Sequence, residues 1–334
     1  MKFKNLIGAG LICAIILIVP QFLHGYPMTV VNVALLFAIT SYGISVMLGM
    51  GGQLSFAAVT FMGLGAYFVA NTTTGRLGIT IPTMLALVLT PIVFAGVAFL
   101  VGLVLLKLKG TYFTFATIAL VQVAFTFFNN YSPLFGGPDG ISGIPTLTFF
   151  DHSFRSSGSS NEWFYFISIS VVLVAIVVER IRRSQLGRAL ASIRDNETAA
   201  LTFGINTYLT KVIAFSIAGA FASFSGALWV MHGRFVGADM FNFLNAAQFI
   251  IMAMLGGVNS TVGIVIGALL VTGLPELFRA FQGYMQLFWG VAIIALMVFM
   301  PTGLAGIKDM IVEKIRKYKV CASRREGDAD ATDS

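Results

Sequence analysis

Charged residues are scarce in this chain. Asp, Glu, Lys and Arg make up 10% of its 334 residues, where soluble domains carry about 25%. Apolar side chains take their place, at 57%. One aqueous domain cannot hide that much apolar surface, so a lipid bilayer is the natural solvent. Chemistry is missing too. No GxxxxGKS/T phosphate loop occurs, which removes that route to ATP. There is no HExxH, no CxxC and no nucleophile–base constellation. The three histidines (His24, His152 and His232) fall in outer loops or at span ends and read as surface residues. Cys13 lies in the first apolar run and Cys321 in the polar tail, too far apart to pair. The expectation is a chain with no catalytic residues, no metal site and no cofactor of its own. A net charge of +7 would suggest nucleic acid in a soluble protein, but here the placement of the charges matters more than their sum, and no nucleic-acid partner is expected.

What is present is a series of apolar runs, the longer ones matching the ~20 residues that cross a bilayer core as a helix. Helices satisfy their own backbone hydrogen bonds, which lipid cannot do. The fold class is therefore all-α, a polytopic integral membrane protein of about ten membrane helices. The candidate spans are 6–23, 28–48, 54–71, 82–106, 112–128, 163–179, 211–231, 243–256, 260–274 and 284–300. The pair 243–256 and 260–274 is short and reads as one bent helix, a re-entrant pair or two crossings. Lys2 and Lys4 precede the first run, but no small-x-small cleavage site follows, so an uncleaved first helix is expected. With the N-terminus in the cytoplasm and ten crossings, every basic residue except Arg76, Arg155, Arg234 and Arg279 falls inside, a strong positive-inside bias. Residues 1–307 then form a single membrane domain, with a cytoplasmic loop at 180–210 and the main outer loop at 129–162. That outer loop begins "SPLFGGPDGISGIP" and reads as irregular. Residues 308–334 form a cytoplasmic tail, basic beside the inner leaflet and acidic and disordered at its end.

No Asp, Glu, Lys, Arg or His sits in the middle of a span. Proton- or ion-driven carriers usually need one, although sodium coupling through backbone and hydroxyl oxygens stays open. Glycine is abundant, at 35 residues, and two clusters stand out. In "GMGGQLSFAAVTFMGLGAYFVA", Gly51, Gly52 and Gln53 break a helix, followed by Ser55, Gly63 and Tyr67. In "MLGGVNSTVGIVIGALLV", Gly256 and Gly257 break another, followed by Asn259. Such clusters either let helices pack closely or expose backbone along a cavity. Each follows one apolar run and starts the next, which hints at an internal pseudo-repeat. Amides and hydroxyls elsewhere in the spans (Asn32, Tyr42, Ser45, Gln122, Asn129, Asn245, Gln248 and Gln286) serve either a polar solute path or interhelical hydrogen bonds. The candidate path residues are Gly51, Gly52, Gln53, Ser55, Gly63, Tyr67, Asn245, Gly256, Gly257 and Asn259.

One polar segment interrupts the oily chain, "RSQLGRALASIRDNETAALTFGIN", residues 183–206. From Leu186 it is helix-compatible. Ala189, Leu190, Ile193, Ala200 and Leu201 recur at spacings of three and four, forming one apolar stripe, and Gly204 is placed to end the helix. The segment reads as a helix lying on the membrane surface or as one that docks in a groove on a cytoplasmic partner.

"ETAALTFGIN" resembles the EAA-type loop of bacterial ABC import permeases, with Glu197, Ala199, Ala200 and Gly204 at matching positions and Thr198 departing from the pattern. Together with "GGQLSFAAVTFMGLGAY", "LGGVNSTVGIVIGA" and "PTGLAGI", the chain resembles the LivM-type permeases of branched-chain amino-acid ABC importers over residues 40–307. The resemblance implies a transport subunit of the inner membrane rather than an enzyme. It implies two ATP-binding subunits that hold ATP and Mg, a second and different permease chain, and an external substrate-binding protein. It also implies that Arg188, Arg194, Asp195, Glu197, Ala199, Ala200 and Gly204 couple ATPase movement to the membrane helices. An ABC permease for another small solute (urea, short amides or polar amino acids) and a stand-alone channel or carrier are the alternatives.

Overall fold

In the computed structural model, residues 25–76, 78, 80–149, 152–154 and 161–277 are described. The expected spans 6–23 and 284–300, the tail 308–334, and Gln286, His24, Cys13 and Cys321 lie outside them. The elements run α1 (Tyr26–Ile44), a π-helical turn (Ser45–Met50), α2 (Ala58–Thr74), α3 (Thr83–Leu105), α4 (Thr111–Asn130), α5 (Ser132–Phe135), β1 (Ile141–Ser142), β2 (Thr148–Phe149), β3 (His152–Ser153), α6 (Asn161–Arg183), α7 (Gln185–Asp195), α8 (Glu197–Thr202), α9 (Thr207–Gly233), β4 (Phe235–Val236), α10 (Phe243–Gly256) and α11 (Thr261–Leu277). Among the described residues five helices are long and apolar enough to cross a membrane, and Phe243–Gly256 and Thr261–Glu276 are shorter apolar helices. The pair 243–256 and 260–274 is thus two helices joined by a turn, not one bent helix.

The centre of the fold is α9, packed against α1, α2 and α3. Small residues make this possible, because close approach replaces the hydrophobic effect as the driving force between helices in lipid. A Cβ added at Gly226 would strike the carbonyl of Met62, and one at Gly65 would strike the backbone of Ser223. Gly43 faces the carbonyl of Ala218 and would meet it at 2.8 Å. Hydroxyls add cross-links where backbones touch: Ser225 donates to the Leu36 carbonyl at 2.6 Å and Ser216 to that of Ala95 at 2.6 Å. The same device joins α10 to α11, where Gly256, Gly263 and Gly267 leave room for each other's backbone and that of Met252.

Contacts sort the connections into two ends. At one end, Thr114 donates to the Leu54 carbonyl, the Tyr208 hydroxyl to that of Leu103, and Arg194 to that of Gly49. At the other, the Tyr26 hydroxyl donates to Glu276 at 2.7 Å and the Thr83 and Thr148 hydroxyls lie 3.0 Å apart. The loop after α4 is more ordered than its composition suggests. It holds α5, and β1 pairs antiparallel with β4, Ile141 opposite Val236. Arg234 secures the junction: at φ 56° it ends α9, and its guanidinium donates to the Ile144 carbonyl at 3.2 Å. Glycine and proline broke the helical pattern here as expected. The strands are not legible in the sequence because their pairing residues lie far apart in the chain, Ile141 with Val236 and Ser142 with Phe235. His232 also departs from the surface reading. It is half-buried in the last turn of α9, its ring 5.4 Å from that of Trp163 and its Nε2 3.4 Å from the Asn32 amide.

Candidate coupling site at the helix break

The polar segment forms two helices, where the apolar stripe had suggested one. Ser184 caps α7, accepting from the Gly187 N–H at 3.4 Å. Gly187 has no Cβ to strike the Ile181 and Arg182 carbonyls as the chain turns out of α6. Asn196 then adopts an extended conformation, ending α7, and its side chain accepts from the Ala199 N–H at 3.0 Å to start α8. Asparagine competes well for such orphan donors, which is why it favours caps over helix interiors. Gly204, at φ 79°, closes α8. Its N–H bonds the Leu201 carbonyl at 3.0 Å, and that of Ile205 bonds Ala200 at 3.1 Å, the paired bonds of a Schellman motif.

The inner face of this pair rests on the break after α1. Leu190, Ile193 and Ala200 are buried, whereas Leu201 is exposed and leaves the stripe. A Cβ at Gly51 would touch Leu190 at 3.4 Å, and one at Gly52 would lie 2.6 Å from Cγ of Arg194. The Arg194 stem therefore crosses the glycine surface, and its guanidinium donates to the Gly49 carbonyl at 2.8 Å. Its other side reaches Asp195 at 3.4 Å, an exposed pair of little energetic weight. Gly49 touches more than Arg194. A Cβ there would meet the Val258 carbonyl at 2.6 Å and Oδ1 of Asn259 at 3.0 Å. The two glycine clusters and the polar segment, separate in sequence, converge at this residue.

The break satisfies its own backbone. The Gly52 N–H bonds the Leu48 carbonyl and that of Gln53 bonds Met47, both at 3.1 Å, over the π-helical turn that ends α1. Oε1 of Gln53 is buried with no hydrogen-bond partner among the described residues. A second tether joins α8 to α9: Lys211 Nζ lies 2.7 Å from Glu197 Oε1. The lysine side chain is 9% exposed and the glutamate 42%, so the pair is anchored in the protein on one side and open on the other. Sequence reasoning placed Lys211 only as a cytoplasmic charge, since nothing in the spacing of residues 197 and 211 pairs them.

The remaining predicted residues are dispersed. Arg188 points outward and donates to the Arg183 carbonyl at 2.9 Å. Ala199 serves as the capped N–H of α8. Leu201 and Phe203 are exposed at its tip, Phe203 at 85%. Ser55 is buried, accepting from the Ala57 N–H at 3.3 Å. Gly63 and Tyr67 lie towards the other end of α2. A Cβ at Gly63 would reach Phe128 at 2.7 Å and Phe241 at 2.9 Å. The Tyr67 ring sits about 5 Å from those of Phe128 and Phe135, and its hydroxyl is buried without a hydrogen-bond partner among the described residues. Asn245 supports the start of α10, donating to the Met240 carbonyl at 2.9 Å. Gly256 packs on α11, and Gly257, at φ 93°, turns the chain towards Asn259. Among the described residues no cluster of His, Cys, Asp and Glu could hold a metal ion.

Comparison with known proteins points to transport permeases of the membrane. Residues 26–301 match the family model described as "branched-chain amino acid transport system / permease component". The high-affinity branched-chain amino acid transport system permease protein LivM of Salmonella typhimurium is 28% identical over 82% of this chain and 69% of its own length. The probable branched-chain amino acid transport permease protein LivM of Methanocaldococcus jannaschii is 23% identical over 82% and 87%. The permease protein LivH of Salmonella typhimurium is 30% identical over 40% of this chain and 44% of its own length. No solved structure matches. A model match across most of the chain settles the matter: this polytopic membrane protein belongs to the family of branched-chain amino acid transport system permease components.

Proposed function

We propose that the chain is the membrane permease of an ATP-driven importer for branched-chain amino acids in a bacterial inner membrane, with both termini in the cytoplasm. The solute class and the second permease follow the names of the relatives, LivM and LivH. In this reading two separate ATPase subunits hold ATP and Mg, a second and different permease chain completes the path, and an external binding protein delivers the solute. This chain supplies the helices and the lever, and no cofactor.

The observation that carries the reading is the Arg194–Gly49 hydrogen bond at a broken helix. The tip of α8 is exposed and apolar at Leu201 and Phe203, suited to a groove on a partner. A push there reaches α1 through Arg194 and Leu190, α9 through Glu197 and Lys211, and the α10–α11 turn through Gly49. Arg188 and Asp195 lie on the outward side and would face the ATPase. The path assigned to the solute is marked by Gly51, Gly52, Gln53, Ser55, Gly63, Tyr67, Asn245, Gly256, Gly257 and Asn259. Two of these, Gln53 and Tyr67, hold buried polar atoms without partners among the described residues, available to a zwitterion once the helices part.

The test uses Glu197→Lys and Gly204→Asp in the assembled importer. Both should leave the chain inserted in the membrane while uptake falls to background and ATP hydrolysis no longer responds to loaded binding protein. Normal uptake in both variants would remove the assigned role of this segment.

A further inference from the structure

We infer that the outward face of α4, marked by Gln122, Thr126 and Asn130, lines the outer half of the solute path against a second, different permease chain. This rests on the importer reading above. The outward faces of α3 and α6 differ from it. Between their ends, the exposed positions of α3 are Leu85, Val88, Ile92, Val93, Gly96, Leu100 and Val104, and those of α6 are Ile169, Leu173, Ile176 and Val177. Not one carries a polar side chain, as lipid requires. On α4, however, Gln122, Thr126 and Asn130 are exposed in the same direction at spacings of four. The stripe covers about 12 Å of helix, deep enough that headgroups cannot explain all of it.

Its polar atoms are only partly used. Thr126 donates to the Gln122 carbonyl at 2.8 Å and Asn130 to that of Thr126 at 2.9 Å. Among the described residues the Gln122 amide makes no hydrogen bond, and Asn130 keeps its Oδ1. Together with Val123 and Phe127 the three line a shallow groove open to the outside of the chain. Among the described residues α4 packs against α2, α3 and α10 and leaves this groove uncovered. An amide-bearing groove on a membrane helix fits a facing protein surface with a polar solute between them. The similarity to both LivM and LivH favours a second permease as that surface. Zwitterions would pass the outer half of the bilayer along the amides, without a buried charge to hold them.

The experiment uses the complete importer in native membranes, with Cys13→Ser and Cys321→Ser as a thiol-free background. Gln122→Cys and Thr126→Cys are compared with Ile169→Cys on the lipid-facing side of α6. A charged, membrane-impermeant maleimide added from outside should label the first two about tenfold faster than the third, since only a water-filled path admits it. Benzoylphenylalanine in place of Thr126 should photo-cross-link to a second, different permease chain identified by mass spectrometry. Equal labelling rates overturn the inference. So does a cross-link to lipid alone, to another copy of this chain, or to its own residues 1–24 or 278–334. Failure here leaves ATP-dependent uptake intact, whereas failure of the importer reading shows as uptake that needs no ATP, whatever is labelled.

Discussion

The guanidinium of Arg194 donates a 2.8 Å hydrogen bond to the carbonyl of Gly49, 145 residues earlier in the chain. This bond joins α7, in the polar segment, to the end of the buried helix α1, and the arginine stem needs the bare surface of Gly52. Arg194→Ala should keep the importer assembled and lower uptake about ten- to a hundredfold, a loss matching the roughly 1.5–3 kcal/mol of a charge-assisted hydrogen bond. Gly52→Ala should do similar damage from the other side. The φ of 66° at Gly52 costs a residue with a Cβ about 1–2 kcal/mol, and that Cβ displaces the arginine. Uptake into proteoliposomes, beside complex recovery in detergent, separates lost coupling from lost assembly.

Glu197 and Lys211 form the second tether, half open to water. Lys211→Ala should cost about 1–2 kcal/mol of stability, less than for a fully buried pair because one partner stays solvated. The exchange Glu197→Lys with Lys211→Glu should recover part of the stability that Glu197→Lys loses. Thermal unfolding of the four combinations measures this as a double-mutant cycle, and strict additivity would show that the two charges do not communicate.

Phe203 is a large apolar side chain exposed at the tip of α8. Phe203→Asp should change the stability of the isolated chain by less than about 0.5 kcal/mol, as surface substitutions do. The same change should prevent ATPase subunits from co-purifying in mild detergent. Retention of the ATPases at wild-type stoichiometry would place the docking surface elsewhere.

The Tyr67 hydroxyl is buried among aromatic rings, without a hydrogen-bond partner among the described residues. Tyr67→Phe removes that unsatisfied group, so the melting temperature should rise, by up to about 1 kcal/mol of stability. Uptake should fall several-fold if the hydroxyl serves the solute. A more stable variant with unchanged uptake would assign Tyr67 to packing alone.

Composition and periodicity alone determined that this is a predominantly helical membrane protein, because lipid allows apolar segments few ways to satisfy their backbone. They also placed the spans between 26 and 277 to within a few residues and singled out the polar segment, since local propensity and charge are written one residue at a time. Capping signals at Ser184, Asn196 and Gly204 are equally local, and the division into α7 and α8 was readable at Asn196. Other features needed the tertiary structure. The seat of Arg194 on Gly49 and Gly52, the pairing of Lys211 with Glu197, and the meeting of Gly49 with Val258 and Asn259 join residues far apart in sequence. The direction in which Gln122, Thr126 and Asn130 face was also undecided, because their spacing shows that they share a side of the helix but not which side the neighbouring helices cover. Long-range contacts depend on how close backbones can come, and that is settled only when glycine surfaces such as Gly65 and Gly226 find the helices they fit.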